Sequence, residues 1–79
     1  METMTQVITE TLVEKFGVSP ADATPDSTFG SLDIDSLVLV EMSVILGDRF
    51  KIEVKEGELA EAQTIRQAAE LVTAKLSTG

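Results

Sequence analysis

Three stretches of this sequence repeat apolar residues at spacings of three and four, and each of them predicts a helix with one side against a core. With no cysteine among 79 residues, no disulfide can staple the chain, so these apolar faces must hold the domain together. In residues 3–16, Met4, Val7, Ile8, Thr11 and Leu12 share a face. Thr3 and Gln6 form a capping-box pattern ahead of it, and Gly17 suits the left-handed position behind it. The second helix is expected over residues 36–50, opened by Asp35 or Ser36 as N-cap, with Leu39, Met42, Leu46 and Phe50 as its core stripe. The last is expected over residues 65–76, after a capping box at Thr64 and Gln67. Ile65, Ala68, Ala69, Val72 and Leu76 fall on its inward side, and the tail Ser77-Thr78-Gly79 is expected to fray.

The connections carry their own signals. Residues 17–35 form a 19-residue loop, long for so small a domain. Ser19-Pro20-Ala21-Asp22 reads as a cap and first helical turn, and Thr24-Pro25-Asp26-Ser27 as a second turn. Val18, Phe29, Leu32 and Ile34 are candidate anchors to the helices. Ile52 and Val54 alternate with charged residues, but no second strand exists to pair with them. An extended segment dropping Val54 into the core is expected, followed by one or two helical turns over residues 56–62 with Leu59 inward. The fold class is all-α: three longer helices, one short third helix and a long first loop, in a single domain over residues 1–79.

Charge narrows the function. Fourteen acids against six bases give a net charge of −8. Phosphate backbones and anionic lipid need Lys and Arg, so neither nucleic acid nor membrane is an expected partner; a basic protein surface is the natural complement, and simple solubility is the alternative reading of the charge. From Phe16 to Asp48 there are six acids and no base: Asp22, Asp26, Asp33, Asp35, Glu41 and Asp48. No secretory signal or membrane-length apolar run is visible, and a cytoplasmic monomer is expected.

Histidine is absent as well. Ser36, set between acidic residues and an aliphatic run, therefore has no imidazole to activate it as a nucleophile. Asp33 and Asp35 would disfavour an oxyanion beside it. No catalytic residue is assigned. Asp33-Ile34-Asp35 begins like a calcium loop, but Leu37 and Val38 stand where a ligand and a glycine are required, so no metal site is assigned. Two roles remain for Ser36: a helix cap, or a hydroxyl that another enzyme modifies. Unpaired amides at a helix start suit a phosphate ester there. The second helix also has more apolar surface than one core face needs. Leu37, Val40 and Val44 form a second stripe flanked by Glu41 and Asp48, either buried on further sides or offered to a partner.

Asp35-Ser36-Leu37 at the head of an apolar helix resembles the modification motif of acyl carrier proteins. The resemblance covers nearly the whole chain. Phe16-Gly17-Val18 ends the first helix as in that family, Phe29 precedes the serine as its loop anchor, Glu41 lies five residues after the serine, and Phe50 closes the second helix. Val54 and Thr64-Ile65-Arg66-Gln67-Ala68-Ala69 also fall at family-like positions. The resemblance implies a four-helix bundle and a phosphopantetheine arm, taken from coenzyme A and attached to Ser36, that carries acyl or aminoacyl thioesters. It implies a docking face of Asp35, Leu37, Val40, Glu41, Val44 and Asp48. It also implies a core that opens for cargo, with Leu39, Met42, Leu46, Val54, Leu59 and Ala68 as lining candidates. The implied partners are a phosphopantetheinyl transferase and acyltransferase, ketosynthase or adenylating and ligase enzymes with basic docking surfaces. Departures from the fatty-acid type point to polyketide or mixed polyketide–peptide secondary metabolism. Aspartate replaces glycine at Asp33, the loop from Phe29 to Leu32 looks one residue short, Val38 replaces a polar residue, and Gly47-Asp48-Arg49 is less acidic. A peptidyl carrier, or an acidic interaction module without covalent cargo, is the alternative.

Overall fold

The structure, a computed structural model, describes residues 3–78. Four α-helices follow one another: α1 Met4–Phe16, α2 Ser36–Phe50, α3 Glu56–Ala62 and α4 Ile65–Thr78. No extended strand is present among the described residues; one isolated bridge joins Thr28 to Thr64. The all-α bundle with a short third helix and a long first loop is as the sequence predicts. No helix among the described residues is long and apolar enough to cross a membrane.

Helix ends follow the capping chemistry of the sequence. The Thr3 hydroxyl accepts the Gln6 amide at 3.2 Å and the Gln6 side chain accepts the Thr3 amide at 2.8 Å. Gly17 ends α1 at φ 73°, in the left-handed region that glycine enters without steric cost. The Thr64 hydroxyl accepts the Gln67 amide, but only half of the expected box forms: the Thr64 amide turns instead to the Ala62 carbonyl, and the Gln67 side chain accepts the Thr64 hydroxyl.

α1 packs on α4, and α3 joins α2 to α4. Ile8 and Leu12 from α1, Met42 and Leu46 from α2, Leu59 from α3, and Ile65 and Val72 from α4 are fully buried. Two buried hydroxyls on these faces donate within their own helices, Thr11 to the Val7 carbonyl and Ser43 to the Val40 carbonyl, which removes the cost of burying an unpaired polar group. Val54 drops into the core from an extended segment, as expected.

Three expectations need correction. α4 continues through Ser77 and Thr78, where the Ser77 hydroxyl donates to the Thr73 carbonyl; Gly79 lies outside the described residues. Leu76 is 41% exposed, and the half-buried Leu71 packs against the core. Ser19–Asp22 makes a single turn, with the Asp22 and Ala23 amides on the Ser19 carbonyl, and no helix grows from it.

Backbone ties hold the long loop to the start of α4. The Ile65 amide donates to Ser27, Arg66 to Pro25, and Phe29 to Gln63, and the Arg66 guanidinium meets Asp26 at 3.0 Å. Ala23, Phe29 and Ile34 are buried beneath this seam, with Val18 and Leu32 partly buried beside it. The loop therefore delivers residues 33–36 to a defined place at the head of α2.

Candidate functional site

Gly30–Leu32 form a 3-10 turn that ends at Asp33, whose φ is 59°. The Asp33 amide donates to Gly30 and the Ile34 amide to Phe29, so the chain reverses and Ile34 enters the core. Asp33 occupies the left-handed conformation that glycine adopts most readily, and aspartate is among the few other residues that tolerate it. This is the physical setting of the aspartate that stands in place of the glycine.

Asp35 then caps α2. Its backbone is extended, and its carboxylate accepts the Val38 amide at 3.0 Å, while its carbonyl accepts the Leu39 amide. Of the two candidate caps, Asp35 takes the role. Ser36 is the first helical residue, exposed, and its hydroxyl makes no hydrogen bond among the described residues. The positive end of a 15-residue helix lies beside it and favours an anionic ester, while the exposed carboxylates of Asp33 and Asp35 oppose one.

Leading away from Ser36, Leu37 is 67% exposed, Val40 43% and Val44 65%, with Glu41 and Asp48 exposed on the same side. Of the alternatives for the second stripe, burial on further sides is thereby removed for these three residues, whereas Val38 and Ile45 are half-buried. The opposite side of α2 places Leu39, Met42 and Leu46 in the core.

A cleft of about 330 Å³ opens between the loop, α2 and the end of α3, lined by Thr28, Phe29, Gly30, Ile34, Leu39, Ala60 and Gln63. Of the six lining candidates implied by the resemblance, Leu39 borders this cleft. Met42, Leu46, Val54, Leu59 and Ala68 are packed in the core beneath. Thr28, Ala60 and Gln63 escape sequence reasoning because they lack periodicity. Gly47 lies in the interior of α2. A Cβ on it would stand 2.9 Å from the Ile52 carbonyl oxygen, so its lack of a side chain lets the chain turn back under α2.

Comparison with known proteins follows the same lines. A family model described as the phosphopantetheine attachment site matches residues 6–72. The chain is 37% identical over 60 residues to the acyl carrier protein of Thermobifida fusca, covering 75% of this chain and 76% of that one. It is 36% identical over 59 residues to the meromycolate extension acyl carrier protein of Mycobacterium tuberculosis, covering 73% and 51%. It is 31% identical over 74 residues to a lovastatin diketide synthase of Monascus pilosus, of which it spans only 3%. The crystal structure of an acyl carrier protein from Thermotoga maritima has the same fold, with a TM-score of 0.76 at 21% identity over 91% of this chain and 85% of that chain.

Proposed function

Because the chain belongs to the phosphopantetheine-attachment family of acyl carrier proteins, we propose that the Ser36 hydroxyl is the point at which the arm is joined. An acyl carrier holds its cargo as a thioester on that arm and works with biosynthetic enzymes. The observation that carries the assignment is the division of labour at α2: Asp35 supplies the cap, and the Ser36 hydroxyl is exposed with no intramolecular bond. Attack by this hydroxyl on the pyrophosphate of coenzyme A joins the phosphopantetheinyl phosphorus to the serine oxygen and releases the adenosine bisphosphate half; the serine proton must pass to a base, and the chain has no histidine. A phosphopantetheinyl transferase supplies that step.

The docking face is Asp35, Leu37, Val40, Glu41, Val44 and Asp48. Exposed apolar side chains rimmed by acids favour enzymes whose docking surfaces are apolar at the centre and basic at the edge. Relatives of both polyketide and fatty-acyl type accompany this chain. The aspartate at position 33, the valine at 38 and the weakly acidic end of α2 favour the polyketide side, with acyltransferases and ketosynthases as partners. Residues 1–79 form one carrier domain in this reading.

Incubation with a phosphopantetheinyl transferase and coenzyme A tests the assignment. The wild-type chain should gain the mass of one phosphopantetheinyl group and Ser36→Ala none. Equal uptake by both proteins would move the site elsewhere.

A further inference from the structure

Among the described residues, three that are not glycine have positive φ. Asp33 and Lys51 sit in the left-handed helical region, but Gln63, at φ 69° and ψ −39°, lies outside it. The Thr64 amide donates to the Ala62 carbonyl across Gln63 at 2.8 Å, closing a γ-turn of the rare, strained hand. Such a conformation costs free energy and persists only where the surroundings over-determine it. The Gln63 side chain has no part in this, since it is exposed and makes no hydrogen bond among the described residues. The turn instead aims the Gln63 carbonyl at the long loop, where it accepts the Phe29 amide at 2.8 Å.

From Phe29 the connection runs on to Ser36. The Phe29 carbonyl accepts the Ile34 amide at 2.9 Å and the Leu32 amide at 3.1 Å, so Phe29 is bonded on one side to Gln63 and on the other to the turn before α2. Phe29 and Ile34 are both buried, and close packing resists any slide of either. Only Asp35 separates Ile34 from Ser36, and Asp35 is fixed in turn by its bond to the Val38 amide. Resting on the reading of Ser36 as the attachment point, we infer that Gln63 is a positioning residue for that reaction. Its carbonyl, aimed by the strained turn, sets through Phe29 and Ile34 where the Ser36 hydroxyl stands when coenzyme A is brought to it. The demand on position is strict: the attacking oxygen must lie in line with the leaving phosphate, and a misplacement of about 1 Å costs on the order of a hundredfold in rate. Because the role belongs to the backbone, substitutions at position 63 sort by tolerance of positive φ. Glycine and asparagine keep the turn, and a β-branched residue does not.

The test is steady-state kinetics of a phosphopantetheinyl transferase with saturating coenzyme A and the full chain as varied substrate, at a temperature where circular dichroism shows each variant folded. Gln63→Val should lower kcat about tenfold and leave KM for the chain within about twofold, because the exposed face of α2 is untouched. Hydrogen exchange of the Phe29 and Ile34 amides should quicken in the same variant. Gln63→Gly and Gln63→Asn should match the wild type in both measurements. If Gln63→Val does not fold, Gln63→Ala takes its place, with the same sign and a smaller effect. Gly47→Ala separates positioning from stability: it strains the far end of α2 and should lower the melting temperature without lowering kcat. An unchanged kcat in the position-63 variant, a loss carried by KM alone, or an equal loss of kcat in Gly47→Ala would overturn the inference and leave the attachment reading intact. An arm found on a residue other than Ser36 in the wild type would overturn both.

Discussion

At the scale of single residues, the start of α2 sorts three neighbours by chemistry. Asp35 has an acceptor that reaches the Val38 amide, Ser36 keeps its hydroxyl outward, and Asp33 accepts a left-handed backbone. The first two assignments were nearly legible in the sequence, because serine and aspartate before an apolar helix leave only the choice of which one caps. The third was visible as an aspartate in an unexpected place, but a positive φ belongs to the turn and not to the residue. Alanine tolerates that turn less well than aspartate or glycine. Asp33→Ala should therefore lose about 1 kcal/mol in urea unfolding, and Asp33→Gly should lose nothing. Gly47 gives a sharper case. Helix propensity alone says that alanine there adds about 1 kcal/mol. A Cβ 2.9 Å from the Ile52 carbonyl oxygen opposes it, and backbone cannot yield as a flexible side chain does. Gly47→Ala is expected to lower stability by about 1 kcal/mol, read from the urea midpoint at unchanged slope.

At the scale of elements, α2 carries two apolar stripes and only one is consumed by the core. The period of three and four identified both stripes, and it could not tell a buried second stripe from an offered one, since burial depends on what the rest of the chain brings alongside. α3 poses the opposite problem. It is seven residues long and buries Leu59, too short to persist by propensity. Its Glu58 carboxylate reaches Lys75 of α4 at 2.9 Å, with both side chains mostly covered, and also accepts the Lys55 amide. The Lys75 ammonium, and then the Lys55 amide, hold the Glu58 carboxyl below its ordinary range. A depressed carboxyl stabilises the fold fully above its unfolded value, about pH 4.3, and that contribution fades as the pH falls through the lowered folded value. Chemical unfolding of Glu58→Gln and wild type should therefore differ at neutral pH and converge in acid. A difference that persists unchanged at low pH would exclude the ion pair as its source.

At the scale of the whole molecule, the fold class was readable in advance, while the ties that close the long loop were not. The bridge between Thr28 and Thr64, the Arg66–Asp26 pair and the Gln63 turn join residues far apart in the chain. Contacts of that separation leave no local period. The cleft they frame was missed for the same reason, and the lining residues implied by the family resemblance fell mostly in the packed core. The charge distribution, by contrast, was legible at once. Val40→Asp places a charge at the centre of the exposed stripe and should weaken docking to a partner enzyme by about 1 kcal/mol or more. Glu41→Lys at its rim should act less, chiefly on the association rate and its salt dependence. Unchanged helical circular dichroism in both variants would separate docking from folding.

The proposed function rests on Ser36 as the place where cargo is tethered. The protein purified from its native host, analysed by intact mass and then by fragmentation, reads that directly. The account predicts a phosphopantetheine arm on Ser36, with an acyl group as thioester on a fraction of the molecules. An arm on any other residue, or a chain that is never modified while its pathway is active, would contradict it.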